Sequence, residues 1–168
     1  MSFILYFLII SKRTYYKDFI IFYMFDDEEY SEYVKNQTET NKRKIHRVFE
    51  YEENVKMLSN YIKTKIPTIS NGICHGTRRG KEQDWFSKYL NCDIFGTEIS
   101  ETATKFPKTI QWDFHDIKDE WINNFDFIYS NSLDHSYDIP YCLSQWSKCL
   151  KNNGMLIICG TTAHHPLA

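Results

Sequence analysis

Apolar and polar positions follow two periods along residues 50–159, one helical and one strand-like. Between Glu50 and Lys63, Val55, Leu58, Tyr61 and Ile62 recur at helical spacing and predict a helix. After Pro67, the apolar run from Thr68 to Cys74 predicts a first strand, which enters a turn built around Gly72, Gly76 and Gly80. The segment KEQDWFSKYL (81–90) places Trp85, Phe86, Tyr89 and Leu90 on one face of a second helix, and the next apolar stretch ends at Glu98. A short helix or turn spans Ser100 to Phe106 and stops at Pro107. Thr109 to Trp112 reads as the third strand, Asp119 to Asn123 as a helical turn and Phe125 to Tyr129 as the fourth strand. Ile139 to Leu150 reads as a helix with Leu143, Trp146 and Leu150 inward, KNNG (151–154) as its stop and Met155 to Cys159 as the fifth strand.

Such alternation predicts an α/β fold, a Rossmann-like parallel sheet of about five strands with flanking helices and right-handed crossovers. Sheets of this kind bind ligands at the carboxyl ends of their strands. The polar clusters CHGTR, EIS, DFHD and SNSLDHS follow the first four strands and all fall on that edge.

The amino-terminal region reads differently. FILYFLII (3–10) and DFIIFYMF (18–25) are apolar runs separated by SKRTYYK, each far short of the roughly 20 residues a membrane-spanning helix needs. No basic leader precedes the first run and no small-residue cleavage site follows it. DDEEYSEY (26–33) is acidic and expected to be exposed, and NKRKIHR (41–47) is expected to be a solvated helix face. Residues 1–43 are therefore read as an amino-terminal extension and 44–168 as the folded domain. A net charge of −2 gives no electrostatic case for a nucleic-acid partner. Five cysteines without a CxxC pair suggest reduced, packed thiols and a cytoplasmic protein.

The first turn carries the candidate chemistry. Strand, glycine turn, helix and an acid, Glu98, 22 positions after Gly76, form the layout of a nucleotide-binding unit. GICHGTRRG does not fit G-x-G-x-x-G: Cys74 and Arg78 stand where two glycines would be and leave less room for a pyrophosphate. A ligand without phosphates, held by its ribose and an amino-acid tail, fits better, and S-adenosylmethionine is such a ligand.

From about Lys44 to Ile158 the chain resembles a class I S-adenosylmethionine-dependent methyltransferase. More narrowly, CHGTRRGKEQDWF and IYSNSLDHSYD resemble motifs of a methyltransferase-like group of bacterial and viral proteins. The resemblance implies the strand order 3-2-1-4-5, and the last two strands of the usual seven-stranded sheet are expected to be missing here, the 44–168 domain stopping after the fifth. It implies that Gly72, Cys74, His75, Gly76 and Thr77 lie under the ribose and methionine parts of the cofactor. Glu98 would bind the ribose hydroxyls and Ile99 would lie against adenine. Asp113 and Phe114 would hold the adenine edge, and Ser130 and Asn131 would border the methyl donor. The acid usual in the first strand's final turn is absent, with Gly72 in its approximate place.

Methyl transfer to a small-molecule or glycan-type acceptor follows from that resemblance. His135 is the candidate base and Asp134 its orienting partner. No NPPY or DPPY follows the fourth strand, which argues against nucleobase or glutamine amines and leaves hydroxyl or carboxyl acceptors open. Two rival readings are a truncated, non-catalytic copy and a metal enzyme using His75, His115 and His135. For the unpaired edge of the fifth strand, MLIIC, two outcomes are open. The favoured one is a homodimer through that edge; the other is cover from an amino-terminal run.

Overall fold

A computed structural model describes residues 5–11 and 26–161. Its strands are β1 (Leu5–Ser11), β2 (Asn71–His75), β3 (Asp93–Glu98), β4 (Thr109–Gln111), β5 (Phe125–Ser130) and β6 (Leu150–Thr161). They form one sheet in the order β1-β6-β5-β2-β3-β4. The five strands β2 to β6 are parallel and stand in the order 3-2-1-4-5 expected from sequence. Four helices accompany them: α1 (Asp27–Arg43), α2 (Glu52–Lys65), α3 (Lys81–Leu90) and α4 (Ile139–Cys149).

The sheet carries a sixth strand that the expectation of about five omits. β1 runs antiparallel to β6, from Leu5 opposite Thr161 to Ser11 opposite Met155. The edge of β6 is thus covered by the amino-terminal run, and the favoured homodimer would find that edge occupied. Seven consecutive residues in unbroken register satisfy the backbone groups of β6 within one chain. The second apolar run, 18–25, lies outside the described residues, as does the tail after Thr161.

Burial explains the strand patterns. Every residue of β5, FDFIYS, is buried, as a central parallel strand covered on both faces requires. One core, between the sheet and α2 and α3, gathers Val55, Leu58, Ile62, Phe86, Phe127 and Tyr129. The other, under α4, gathers Ile73, Trp121, Phe125, Ile128, Cys142 and Trp146. Phe125 and Phe127 are two apart yet enter opposite cores, because the β5–β6 register shifts between them. That irregularity corrects one expectation: KNNG is no free helix stop but part of β6, which begins at Leu150 directly after α4. Gly72 adjoins Phe127, whose ring a Cβ there would meet.

Two polar ties fix the layers. Gln83 on α3 donates from Nε2 to Thr109 Oγ1 at 2.8 Å and to Lys108 O at 3.3 Å, holding the helix to the start of β4. At the amino-terminal edge, Asp126 accepts from Ser70 N (2.7 Å), Ser70 Oγ (2.8 Å), Asn71 N (3.2 Å) and Lys151 Nζ (2.9 Å).

α1 begins at a capping box. Asp26 accepts from the backbone N–H groups of Glu28 and Glu29, and the Glu29 carboxylate accepts from Asp26 N. Its acidic first turn and basic last turn complement the helix dipole. The acidic stretch expected to be exposed is this first part of α1, and its residues 26–32 are exposed. The far part of the helix faces the carboxyl edge of the sheet, where Asn41 is buried and accepts from Thr102 Oγ1 at 2.8 Å.

Candidate functional site

An open cleft lies over the carboxyl ends of the parallel strands. Gly76 and Arg78 from the β2–α3 turn form its floor. Glu98 ends β3 and Ile99 follows it, Asp113 and Phe114 stand after β4, and Ser132 and His135 after β5. α1 closes the opposite side with Tyr33, Gln37, Thr40 and Asn41.

The turn is shaped by backbone contacts with β3. Gly76 N and Thr77 N both donate to Thr97 O, at 2.9 and 3.0 Å. Gly76 has φ +72°, and a Cβ there would sit 2.6 Å from Ser132 Cβ, so glycine is needed both for conformation and for close approach. Arg78 also adopts a positive φ, 45°, which turns its N–H toward Glu98.

Glu98 is 6% exposed. Its Oε2 accepts from Arg78 N and its Oε1 from Ser100 N, each at 3.1 Å. Burial raises its pKa, against the pull of those backbone bonds and of the Arg78 charge. Two backbone donors therefore hold the carboxylate at a set angle while it still faces the cleft.

Asp113 is more heavily engaged. Its Oδ1 faces His115 N at 2.9 Å and His115 Nδ1 at 2.6 Å, and its Oδ2 accepts from Tyr30 Oη at 2.9 Å. Burial raises its pKa, but the His115 and Tyr30 bonds outweigh that and hold it low. His115 is fully buried, faces Ser136 Oγ through Nε2 at 2.7 Å and stacks on Tyr137 at 3.8 Å. Through Tyr30, α1 is latched to the loop after β4.

The expected site residues divide. Gly76, Glu98, Ile99, Asp113, Phe114 and His135 all line the cleft. Gly72 does not: it is the second residue of β2, and its closeness to Phe127 accounts for it. Cys74 is fully buried in the core under α2 and α3. His75 is 2% exposed, stacks on Trp146 at 4.6 Å and faces Thr97 Oγ1 at 2.8 Å. Desolvation, reinforced by nearby His115, pushes its pKa down to about 3. Thr77 is buried beside the turn, contributing its backbone N–H. Ser130 is buried and donates to His75 O at 3.1 Å; Asn131 donates to Glu82 Oε1 at 3.3 Å. Asp134 is exposed and does not line the cleft, so the loop presents His135 without it.

The histidines of the metal reading do not converge. His75 is engaged with Thr97, and His115 uses both ring nitrogens on Asp113 and Ser136. Among the described residues, no three His, Cys, Asp or Glu side chains are grouped to hold a metal ion. Among the same residues, no helix is long and apolar enough to cross a membrane.

Sequence reading missed the whole α1 wall. The capping box Asp26–Glu29 was the available signal for that helix. Which of its side chains reach the cleft is set by docking and has no local signature.

The fold is that of the class I methyltransferases. The chain is similar to the plantazolicin methyltransferase BpumL, solved with a triazolic desmethyl-plantazolicin analogue and S-adenosylhomocysteine. The TM-score is 0.60 at 19% identity, over 80% of this chain and 61% of that one. It is also similar to the 1,6-didemethyltoxoflavin-N1-methyltransferase of Burkholderia thailandensis, solved with S-adenosylhomocysteine. There the TM-score is 0.60 at 12% identity, over 87% of this chain and 74% of that one. A third neighbour is the sugar N-methyltransferase KedS8 of Streptoalloteichus sp. ATCC 53650, at TM-score 0.56 and 14% identity, over 87% of this chain and 59% of that one. The chain thus spans less than two thirds of BpumL and KedS8. No family model and no curated protein matches it by sequence.

Proposed function

We propose that the chain binds S-adenosylmethionine in the cleft and transfers its methyl group to a small-molecule or glycan-type acceptor. The observation that carries this reading is Glu98: a buried carboxylate at the end of β3, oriented by two backbone N–H groups and facing the cleft across from the Gly76 turn. Its remaining lone pairs suit two vicinal hydroxyls. Ile99 and Phe114 supply apolar surface for a purine, and Asp113 a carboxylate beside it. The three neighbouring methyltransferases named above support the reading.

The sulfonium of the bound cofactor supplies an already activated methyl group. The protein's part is to fix donor and acceptor in line and to exclude water. The α1 wall serves the second purpose, latched through Tyr30 and Asp113. Ser132 after β5 borders the donor, its Oγ bonded to Gly76 O at 3.1 Å so that loop and turn stay joined. His135, at the cleft wall, accepts the acceptor's proton where that is needed. Hydroxyl and carboxyl acceptors remain the favoured class, and the reading places the protein in the cytoplasm.

Calorimetry with S-adenosylhomocysteine tests the proposal. Saturable one-to-one binding is expected. No heat with either S-adenosylhomocysteine or S-adenosylmethionine would favour the non-catalytic reading.

A further inference from the structure

Behind the cleft wall lies a buried acidic group that the fold leaves incompletely bonded. Glu82, in the first turn of α3, is 5% exposed. The carboxylate is acted on by its own backbone N–H, its Oε1 accepts from Asn131 Nδ2 at 3.3 Å, and its Oε2 is buried with no hydrogen-bond partner among the described residues. A second buried carboxylate, Glu50, is close enough to act on it electrostatically, but Glu50 is satisfied by Tyr51 N, Asn54 Nδ2 and Tyr129 Oη. Arg78 acts on Glu82 as well, yet its guanidinium makes no hydrogen bond among the described residues. It lies over the Phe49 ring at 4.8 Å instead, and its Nε is buried without a partner. Unmet buried polar groups of this kind are costly and rare.

The cluster adjoins the cleft. Arg78 lines it, and Asn131 accepts from Ser132 Oγ at 3.1 Å, Ser132 being a cleft residue. Cys74, fully buried on β2, is another neighbour of the Glu82 carboxylate. A group completing this shell must bring donors and positive charge, must be compact, and must enter beside Arg78. A primary ammonium has three donors and one charge in the volume of a methyl group.

We infer that Glu82 receives a ligand's primary ammonium at the inner end of the cleft. The inference rests on the methyltransferase reading, in which that ammonium belongs either to the amino-acid end of the cofactor or to an acceptor that carries an amine besides the group methylated. Both present the same chemistry to the carboxylate.

Calorimetry on the full chain and on Glu82→Gln separates the sources. The probes are S-adenosylhomocysteine and methylthioadenosine, which keeps the nucleoside and thioether but lacks the amino acid. If the cofactor supplies the ammonium, the preference for S-adenosylhomocysteine shrinks about tenfold or more in the variant while methylthioadenosine binds equally to both. If the acceptor supplies it, both nucleosides bind the variant unchanged. Ethylammonium chloride then raises the melting temperature of the wild-type S-adenosylhomocysteine complex and not that of the variant. Identical behaviour of the two proteins in both assays overturns the inference while leaving the methyltransferase reading intact. A wild type that binds neither nucleoside removes that reading, and the inference with it. Unliganded Glu82→Gln is expected to melt at or above the wild type near neutral pH; a large fall would make Glu82 a structural residue and also overturn the inference.

Discussion

Glu82 also makes a quantitative claim about stability. Desolvation, with the nearby Glu50 charge, pushes its pKa from 4.5 up to about 7, against the pull of its own backbone N–H and the smaller pulls of Asn131 and Arg78. Between those two values the folded protein keeps a proton that the unfolded chain has released. Stability is therefore full below the unfolded value and falls as pH rises through the folded one. For a shift of that size, the loss between about pH 5 and pH 8 is roughly 2–3 kcal/mol, at about 1.4 kcal/mol per pKa unit. Glu82→Gln removes the titration but keeps the shape. Its new amide carries a donor at the unpartnered position, which costs about 1–2 kcal/mol at every pH. The difference in slope is the clean readout, because that offset cancels. Urea unfolding of ligand-free wild type and variant across this range gives it directly. The variant should gain on the wild type by about 2–3 kcal/mol from the acid to the alkaline end. Parallel stability curves would show that the Glu82 carboxyl is solvated in the folded protein, and the picture of an unsatisfied buried acid would fail.

Other outcomes follow from the same geometry. Glu98→Ala should weaken S-adenosylhomocysteine binding by about 1–3 kcal/mol in calorimetry, the range for hydrogen-bonding groups left unpaired in a partly buried site; unchanged affinity would move the ribose site elsewhere. Gly76→Ala should destabilise the fold by about 1–3 kcal/mol in urea titration, since a side chain at φ +72° also meets Ser132. His75, with its pKa depressed from 6.5 to about 3, excludes a proton that the unfolded chain accepts. Its contribution is full above the unfolded value and lost as pH falls through that window, so His75→Gln should flatten the acid limb of the stability curve. Deleting residues 1–11 exposes the edge of β6 and should convert the protein to dimers or larger species in light scattering; a monomer after deletion would deny β1 its covering role.

Much of the architecture was legible in the chain itself. The helical spacing in 50–63, the apolar runs ending at Cys74, Glu98 and Tyr129, and the glycine turn between the first two are local patterns. Local patterns determine element type and, for alternating β and α units, a parallel right-handed arrangement. That placed Gly76, Glu98, Ile99, Asp113, Phe114 and His135 along one edge, because each follows a strand. Tertiary packing decided the rest. Gly72 reads as part of the turn but lies in β2, where its closeness to a ring from the neighbouring strand, Phe127, is invisible in the sequence between 72 and 80. Cys74 and His75 look available for a ligand, yet strand alternation sends one into each core. The α1 wall, the Tyr30–Asp113 latch across 83 positions and the pairing of β1 with β6 across the whole chain depend on contacts between distant segments. So does the unsatisfied oxygen of Glu82: its sequence neighbours give a surface-like helix start, and only the packing of Cys74, Glu50 and Asn131 around it makes it a buried acid. Periodicity carries which way a residue faces within its own element, whereas what it meets there is set by elements far away in the chain.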